Sequence, residues 1–241
     1  MKIALFPNES KPHSLKTAAE ASRFLKEQGV ELFAEKHIAA MINATEMNES
    51  HYPEINFRIS FGGDGTILRL IHRHPNLEAP LLGVNLGSLG FLADIPVEEL
   101  ITSLTDLLEK RYTIQDRMIV EGTTEKGEHS FAVNEIVIHR AQNPSLVDLS
   151  IYVDDQYVNT FSADGIILST PSGSTAYSLA AGGPIVTPEL NAIIITPICP
   201  HTISNRPIVL MPKRKFQVKC HSKRLPVEVV FDGISTFTLS D

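Results

Sequence analysis

The chain has 241 residues, 43% of them hydrophobic and 20% charged, so it can bury a sizeable core as one large or two modest domains. Its formal net charge of −7 argues against nucleic acid as a partner, because no basic face is evident to neutralise phosphates. No apolar run reaches transmembrane length, and the N-terminus turns polar too early for a signal peptide. We therefore expect a cytoplasmic protein with no membrane partner.

The two cysteines, Cys199 and Cys220, lack metal-ligand spacing, and we expect both to be buried by packing.

The first part of the chain alternates strand and helix patterns. Strands are predicted at 2–6, 30–34, 57–61 and 80–85, and helices at 14–28 and 97–110. Gly29 follows the first helical pattern as its terminator. This alternation predicts an α/β domain with a mainly parallel sheet flanked by helices.

After residue 111 the pattern becomes one of short strands. They are predicted at 112–120, 130–139, 147–153, 157–162, 164–170, 207–211, 215–220 and 227–231. A hairpin is expected with Asp154 and Asp155 near its turn. The sequence thus predicts two domains, an α/β domain over 1–111 and a β-rich, antiparallel, sandwich-like domain over 112–241.

A glycine-rich loop stands out in FRISFGGDGTILR, where a strand pattern changes into a helix pattern. We predict that Gly62, Gly63 and Gly65 adopt left-handed backbone and let a ligand approach closely. A helix beginning near Thr66 would direct unpaired N–H groups at the loop, which favours phosphate binding.

Asp64 lies inside this loop, and a carboxylate there would repel phosphate unless it has another task. It can orient a magnesium ion carried by the phosphates, or accept a proton from an attacking hydroxyl. The simpler alternative is a tight turn in which Asp64 caps the helix.

The loop lacks the Lys-Ser or Lys-Thr pair of the P-loop and is not the G-x-G-x-x-G fingerprint. It resembles the loop of NAD kinases, diacylglycerol and sphingosine kinases and, in variant form, phosphofructokinases. Four further motifs follow it in order: NLGSLGFLAD (85–94), AVNEIVIHR (132–140), DGIILSTPSGSTAYSLAAGGPIV (164–186) and TPICPHTISNRPIV (196–209). Together these resemble bacterial NAD kinases from about residue 57 to the end.

The resemblance implies transfer of a phosphoryl group from ATP to the 2′-hydroxyl of the adenosine ribose of NAD, giving NADP. Asp64 would be catalytic, and the phosphates would be bound by Gly62, Gly63, Gly65 and Thr66. The residues implied to bind NAD are Phe91, Asn134, Glu135, Asp164, Ser172, Thr175, Ala176, Tyr177 and Asp232. Mg²⁺ would be carried by ATP without direct side-chain ligation, and the family implies a homodimer or homotetramer.

Several of these residues have structural alternatives. Asn134 can be satisfied by a neighbouring strand. The pairs Asp164–Gly165 and Asp232–Gly233 form turns readily, and Ser172 can be a helix N-cap. Leu92 departs from relatives that carry an aromatic residue there. The family also has a segment beyond the last hairpin, where this sequence ends at Asp241.

Two other functions are compatible with parts of the sequence. A lipid kinase would share the loop, but no basic amphipathic segment is present for a bilayer, and TPSGSTAY resembles an adenine-binding segment. A catalytically silent NAD sensor would bind NAD without forming NADP, and the intact Asp64 argues against it. Because the glycine loop and the later motifs belong to different domains, we expect the nucleotide in a cleft between domains or subunits.

Overall fold

In the computed structural model, the described residues are 1–87, 90–142, 144–201, 206–212, 215–221 and 226–239. They form two units, Met1–Gln115 and Asp116–Asp241.

The first unit is an α/β layer structure. Its elements are β1 (Lys2–Pro7), α1 (Pro12–Glu27), β2 (Glu31–Ala34), α2 (Lys36–Ala39), β3 (Thr45–Glu46), β4 (Phe57–Gly62), α3 (Asp64–Arg73), β5 (Leu81–Asn85), β6 (Ile95–Pro96) and α4 (Leu100–Leu108). The strands form a parallel sheet in the order β3-β2-β1-β4-β5-β6. The prediction of a parallel sheet with helices is confirmed.

The helix α1 illustrates why these elements form. Pro12 occupies its first turn, where a missing N–H costs no hydrogen bond, and Gly29 follows its end with φ of 75°. Its residues Ala18 and Leu25 are fully buried in a core that includes Leu5 of β1. The apolar face of the helix therefore covers the sheet.

The described residues of the second unit form strands, one short α-helix and one 3-10 turn. Its elements are β7 (Val120–Thr123), β8 (His129–Ala132), β9 (Glu135–His139), β10 (Val147–Val153), β11 (Gln156–Ala163), β12 (Gly165–Ser169), α5 (Tyr177–Ala180), β13 (Ile193–Ile198), β14 (Ile208–Leu210), β15 (Phe216–Cys220), β16 (Val227–Phe231) and β17 (Ser235–Leu239). The sheets have the orders β14-β13-β12-β9-β16-β17, β11-β10-β15 and β7-β8, and every pairing is antiparallel.

The two larger sheets share one core, which confirms the sandwich-like prediction. Leu149 and Phe161 of the smaller sheet and Ile166 and Ile195 of the larger one are all fully buried in the same cluster. The β10–β11 turn also agrees with the prediction, since Asp154 and Asp155 have φ of 49° and 63°, as a tight hairpin requires.

Two strand predictions that reach into this unit are wrong, and some of its strands were not predicted. No regular secondary structure covers Arg111 to Ile119, where several apolar side chains are exposed and no partner strand accepts them. The predicted strand 130–139 is interrupted between β8 and β9. The strands β13 and β17 were not predicted; Pro197 lies within β13, and proline normally argues against an interior strand.

No helix in the described ranges is long and apolar enough to cross a membrane. The burial expected for the thiols is wrong for Cys199, which is exposed directly after β13 in a left-handed conformation with φ of 46°. Cys220 is half-buried at the edge of the sandwich core.

Candidate functional site

The glycine loop connects β4 to α3, which begins at Asp64, two residues earlier than predicted. Gly63 is the N-cap residue in an extended conformation, with φ of −128°. Neither Gly62 nor Gly65 has positive φ, so the prediction of left-handed backbone is wrong. Residue 62 is a glycine for a steric reason instead: a Cβ there would lie 2.2 Å from Oγ1 of Thr66.

The carboxylate of Asp64 accepts three backbone hydrogen bonds. Its Oδ2 accepts from the amide of Phe91 at 2.9 Å, and its Oδ1 accepts from Leu92 at 3.1 Å and Ala93 at 2.9 Å. No side chain caps α3, so the capping alternative is wrong. Since a carboxylate offers about four acceptor positions, one position on Oδ2 remains unused by the described residues.

The sequence analysis identified only part of the segment 90–93, whose backbone surrounds the Asp64 carboxylate. The sequence identified Phe91, whose side chain is 65% exposed, but not the role of its backbone. Gly90 was not anticipated at all; a Cβ at this position would lie 2.1 Å from Oδ1 of Asp64. Gly90 therefore makes room for the carboxylate.

A polar cluster holds the start of α3. Asn8, directly after β1, donates from Nδ2 to Oγ1 of Thr66 at 2.9 Å, and its amide donates to Oγ of Ser14 at 2.7 Å. Because the Thr66 hydroxyl is the acceptor of the Asn8 bond, its own hydrogen stays available among the described residues, whereas the Thr66 amide already donates to the Gly63 carbonyl at 2.8 Å. The sequence analysis missed Asn8. The rule that ligands bind at the carboxyl ends of parallel strands would have indicated it.

A cavity of about 440 Å³ lies on the second unit. One of its walls is β9, where Glu135, Val137 and His139 line it while Ile136 and Ile138 pack in the core. Successive strand residues point to opposite faces, so these three lie along roughly 13 Å of strand. The cavity is also lined by Arg140, Ala141, Asp164, Tyr177, Ile198, Val230, Asp232 and Gly233.

Glu135 is the buried acid of this cavity. It is 8% exposed, and its Oε2 has no hydrogen-bond partner among the described residues. Burial and the nearby charge of Asp232 raise the pKa of Glu135 to about 7, although the backbone amide of Tyr177 acts in the opposite direction.

Asp232 supports the segment that carries Glu135. Its Oδ2 accepts from the Val133 amide at 2.7 Å, and its Oδ1 accepts from Asn134 at 2.8 Å and Glu135 at 3.1 Å. Asp232 has φ of 50° in the turn that joins β16 to β17, so the hairpin alternative is correct. The residue forms the turn and also lines the cavity.

Asp164 lies at the far end of β9, next to Arg140. The Nε of Arg140 is 2.8 Å from Oδ1 of Asp164, and the Arg140 amide donates to the Asp164 carbonyl at 3.0 Å. Antiparallel pairing of Gly165 with His139 brings them together. The sequence analysis missed Arg140 and His139, although strand alternation from Glu135 would have placed His139 on the same face.

The TPSGSTAY segment turns after β12, as predicted. Ser172 and Thr175 form one 3-10 turn and Tyr177 opens α5 with its side chain 46% exposed. Ser172 is not an N-cap, because it lies inside the turn without a capping bond; Thr170 instead accepts from the Gly173 amide at 3.2 Å.

The cavity brings together only part of the predicted set. Glu135, Asp164, Tyr177 and Asp232 line it, whereas Asn134, Ser172, Thr175 and Ala176 do not. Asn134 is buried, and its backbone carbonyl accepts from the Thr170 amide at 2.8 Å, so its main chain rather than its side-chain amide makes this bond to the neighbouring segment.

Comparison with known proteins gives a consistent result. The model of the ATP-NAD kinase N-terminal domain matches residues 3–112, and that of the ATP-NAD kinase C-terminal domain matches residues 133–241. An NAD kinase from Protochlamydia amoebophila is 64% identical over 238 residues, covering 99% of this chain and 85% of that protein. One from Moorella thermoacetica is 36% identical over 245 residues, covering 100% of this chain and 79% of that protein.

Solved structures agree with the sequence relatives. Yeast NADH kinase complexed with NADH has a TM-score of 0.84 at 27% identity, covering 100% of this chain and 76% of that one. An NAD kinase from Archaeoglobus fulgidus in complex with ATP has a TM-score of 0.78 at 28% identity, covering 98% and 86%. Both the motifs and the fold point the same way, and the chain belongs to the NAD kinase family.

Proposed function

We propose that this chain transfers the γ-phosphoryl group of ATP to the 2′-hydroxyl of the adenosine ribose of NAD, giving NADP. Membership of the NAD kinase family supports the reaction. The observation that carries the assignment of residues is the carboxylate of Asp64, which is fixed by three backbone amides and keeps one acceptor position on Oδ2.

The first unit supplies the chemistry in this proposal. Oδ2 of Asp64 accepts the proton of the 2′-hydroxyl as its oxygen forms a bond to the γ-phosphorus and the bond to the β,γ-bridging oxygen breaks, releasing ADP. Gly63 and Gly65 present backbone amides at the start of α3, and Thr66 presents its hydroxyl. Gly62 gives Thr66 the space that it needs. Catalysis of this kind depends mainly on positioning and electrostatics.

The second unit holds NAD in this proposal, with the boundary between the domains near residue 112. Glu135, Tyr177 and Asp164 line the cavity. The family resemblance supports a role for Glu135 and Tyr177 at the adenosine half of NAD and for Asp164 at the nicotinamide half. Asp232 fixes the backbone of Asn134 and Glu135 by accepting from both amides, and Asn134 also binds NAD in this proposal. The remaining proposed NAD-binding residues are Ser172, Thr175, Ala176 and, in the first unit, Phe91.

Magnesium fits the donor atoms present, since Asp64 and Thr66 offer oxygen and the ion is normally carried by substrate phosphates with few protein ligands. When bound, it would neutralise phosphate charge on ATP. The free position on Oδ2 also suits a water of hydrated Mg²⁺, so orienting the ion is the second candidate role of Asp64. In that case Asp64→Asn would raise the Mg²⁺ concentration required for half-maximal activity.

We also propose a cytoplasmic homodimer or homotetramer that is joined through the β-rich unit. The edge strands β11, β14, β15 and β17 have unpaired sides among the described strands, and pairing subunits is one way to cover them. Sedimentation at micromolar concentration should give a mass above the 26.5 kDa of one chain; a purely monomeric species would contradict this proposal.

One assay tests the proposed function. Purified protein with NAD and MgATP should form NADP, measured by a coupled dehydrogenase, and excess chelator should abolish the signal. Diacylglycerol and a sugar phosphate serve as competing acceptors in parallel reactions. Phosphorylation of either lipid or sugar in place of NAD would refute the assignment, as would NAD binding without turnover.

A further inference from the structure

The loop after β1 carries an asparagine that connects two elements of the first unit. The side chain of Asn8 donates from Nδ2 to Oγ1 of Thr66, in the first turn of α3, across 58 residues of sequence. The helix α1 packs on the sheet face that includes Leu5, and α3 packs through Leu70 on the face that includes Phe6. Asn8 therefore lies where the helical connections change from one face to the other, which is where open α/β sheets bind ligands.

The orientation of the Asn8 side chain is fixed by Ser10. The backbone amide of Ser10 donates to Oδ1 of Asn8 at 3.1 Å, and the Ser10 hydroxyl donates to the same atom at 2.7 Å. A backbone amide can only donate, so the atom facing it must be the oxygen, and the nitrogen must face Thr66. Since that nitrogen can only donate, the Thr66 hydroxyl accepts and its own hydrogen is directed away from Asn8.

The backbone of residue 8 is held independently of its side chain. Its amide donates to the Phe61 carbonyl at 3.0 Å and to Oγ of the fully buried Ser14 at 2.7 Å. Its carbonyl accepts from the Lys11 amide at 3.0 Å. A change of the Asn8 side chain should therefore leave the loop attached to the sheet.

We infer that Asn8 is a positioning residue for the phosphoryl donor, because it holds the Thr66 hydroxyl with its hydrogen facing the phosphates of ATP. The inference rests on the proposed function, in which Thr66 binds those phosphates. Without Asn8 the hydroxyl is free to rotate, and a helical threonine can turn its hydrogen back to the carbonyl four residues earlier, here that of Gly62. Donor binding then weakens, while NAD binding is unaffected.

The test is a double-mutant cycle between Asn8 and Thr66. Asn8→Ala should raise the KM for ATP roughly three- to tenfold, the size expected for one hydrogen bond, and leave the KM for NAD unchanged. In a Thr66→Val background, which lacks the hydroxyl, Asn8→Ala should have no further effect. In a Thr66→Ser background, which keeps the hydroxyl, the full effect should return.

The chain provides a matched control, because the tripeptide Asn-Glu-Ser occurs at 8–10 and again at 48–50. Oδ1 of Asn48 accepts from the amide of Ser50 at 3.0 Å and from its hydroxyl, as in the first copy. The hydrogen bonds of Asn48 among the described residues stay within 48–51. Asn48→Ala thus removes the same local turn without touching α3 and should leave the KM for ATP unchanged.

A purely structural role for Asn8 predicts different results. Asn8→Ala would then raise the KM for both substrates together, or raise the KM for ATP as much in the Thr66→Val background as in the wild type. Either result would overturn the inference, as would an unchanged KM for ATP in Asn8→Ala.

The Kd of MgATP, measured by calorimetry for the same variants, gives the cycle without turnover. If the protein binds MgATP but forms no NADP, the proposed function fails, while the cycle of Kd values still decides the inference. If the wild-type protein binds no MgATP, both are refuted.

Discussion

Two aspartate-glycine pairs, Asp64–Gly65 and Asp232–Gly233, use the same hydrogen-bonding device in different surroundings. Each carboxylate accepts three consecutive backbone amides, those of 91–93 for Asp64 and those of 133–135 for Asp232. Asp64 opens the helix α3, whereas Asp232 sits in a hairpin turn with positive φ.

The surroundings separate their roles. The segment that donates to Asp64 includes Phe91, whose side chain is exposed. The segment that donates to Asp232 is buried, with Val133 3% and Glu135 8% exposed. A shared hydrogen-bond pattern therefore does not define function. We assign Asp64 to chemistry and Asp232 to support.

The largest effect should come from Asp64→Asn. Turnover should fall at least about a hundredfold, since a positioned base contributes roughly 10²- to 10⁴-fold, while the Kd for NAD changes little. A coupled NADP assay and calorimetry measure the two quantities. Retained turnover with lost NAD binding would make Asp64 a structural residue.

The same substitution at Asp232, Asp232→Asn, should affect stability and NAD binding more than turnover. Asp232→Asn should lower the free energy of unfolding by about 1 to 2 kcal/mol and raise the KM for NAD, because an amide group opposes one of the three amide donors. Its kcat should fall far less than that of Asp64→Asn. Asp148→Asn, at an exposed position of β10, should change neither quantity. Equal losses of kcat at Asp64 and Asp232 would remove the distinction between the pairs.

The pH dependence of stability tests the burial of Glu135, which lies in the segment that Asp232 supports. Glu135 has its pKa raised from 4.5 to about 7 in the folded protein, so the folded state binds the proton more tightly than the unfolded state. The contribution of Glu135 to stability is therefore greatest below pH 4.5 and is lost as pH rises through 7. Glu135→Gln should be more stable than wild type by about 2 to 3 kcal/mol at pH 8, with no difference near pH 4.5.

Denaturant unfolding across this pH range measures the difference. Glu125→Gln, at an exposed position in the loop between β7 and β8, is the matched control and should show a flat difference. A variant that is equally or less stable than wild type at pH 8 would show that Glu135 is ionised without cost in the folded state.

Gly90→Ala tests the space around Asp64. The added Cβ would lie 2.1 Å from Oδ1, so the carboxylate must move and its hydrogen bonds must lengthen. We expect turnover to fall about tenfold, equivalent to about 1.4 kcal/mol, with little change in NAD binding. Wild-type turnover in this variant would mean that the three-amide arrangement is not needed for reaction.

Local patterns in the sequence were sufficient to predict the fold class and the family. Strand and helix alternation predicted the parallel sheet, and five motifs in order predicted the family, because periodicity and turn chemistry act over a few neighbouring residues. The sequence also placed Glu135 and Asp232 in the site. It failed at 112–119, where β-prone residues find no partner strand.

Only the tertiary structure decided which partners these residues have. Asp64 meets amides 27 to 29 residues later, Asn8 reaches Thr66 over 58 residues, and Arg140 meets Asp164 through the register of β9 with β12. The unpartnered Oε2 of Glu135 likewise depends on what packs around it. These long-range contacts depend on how the strands are paired, because the same local sequence would have different partners in another strand register.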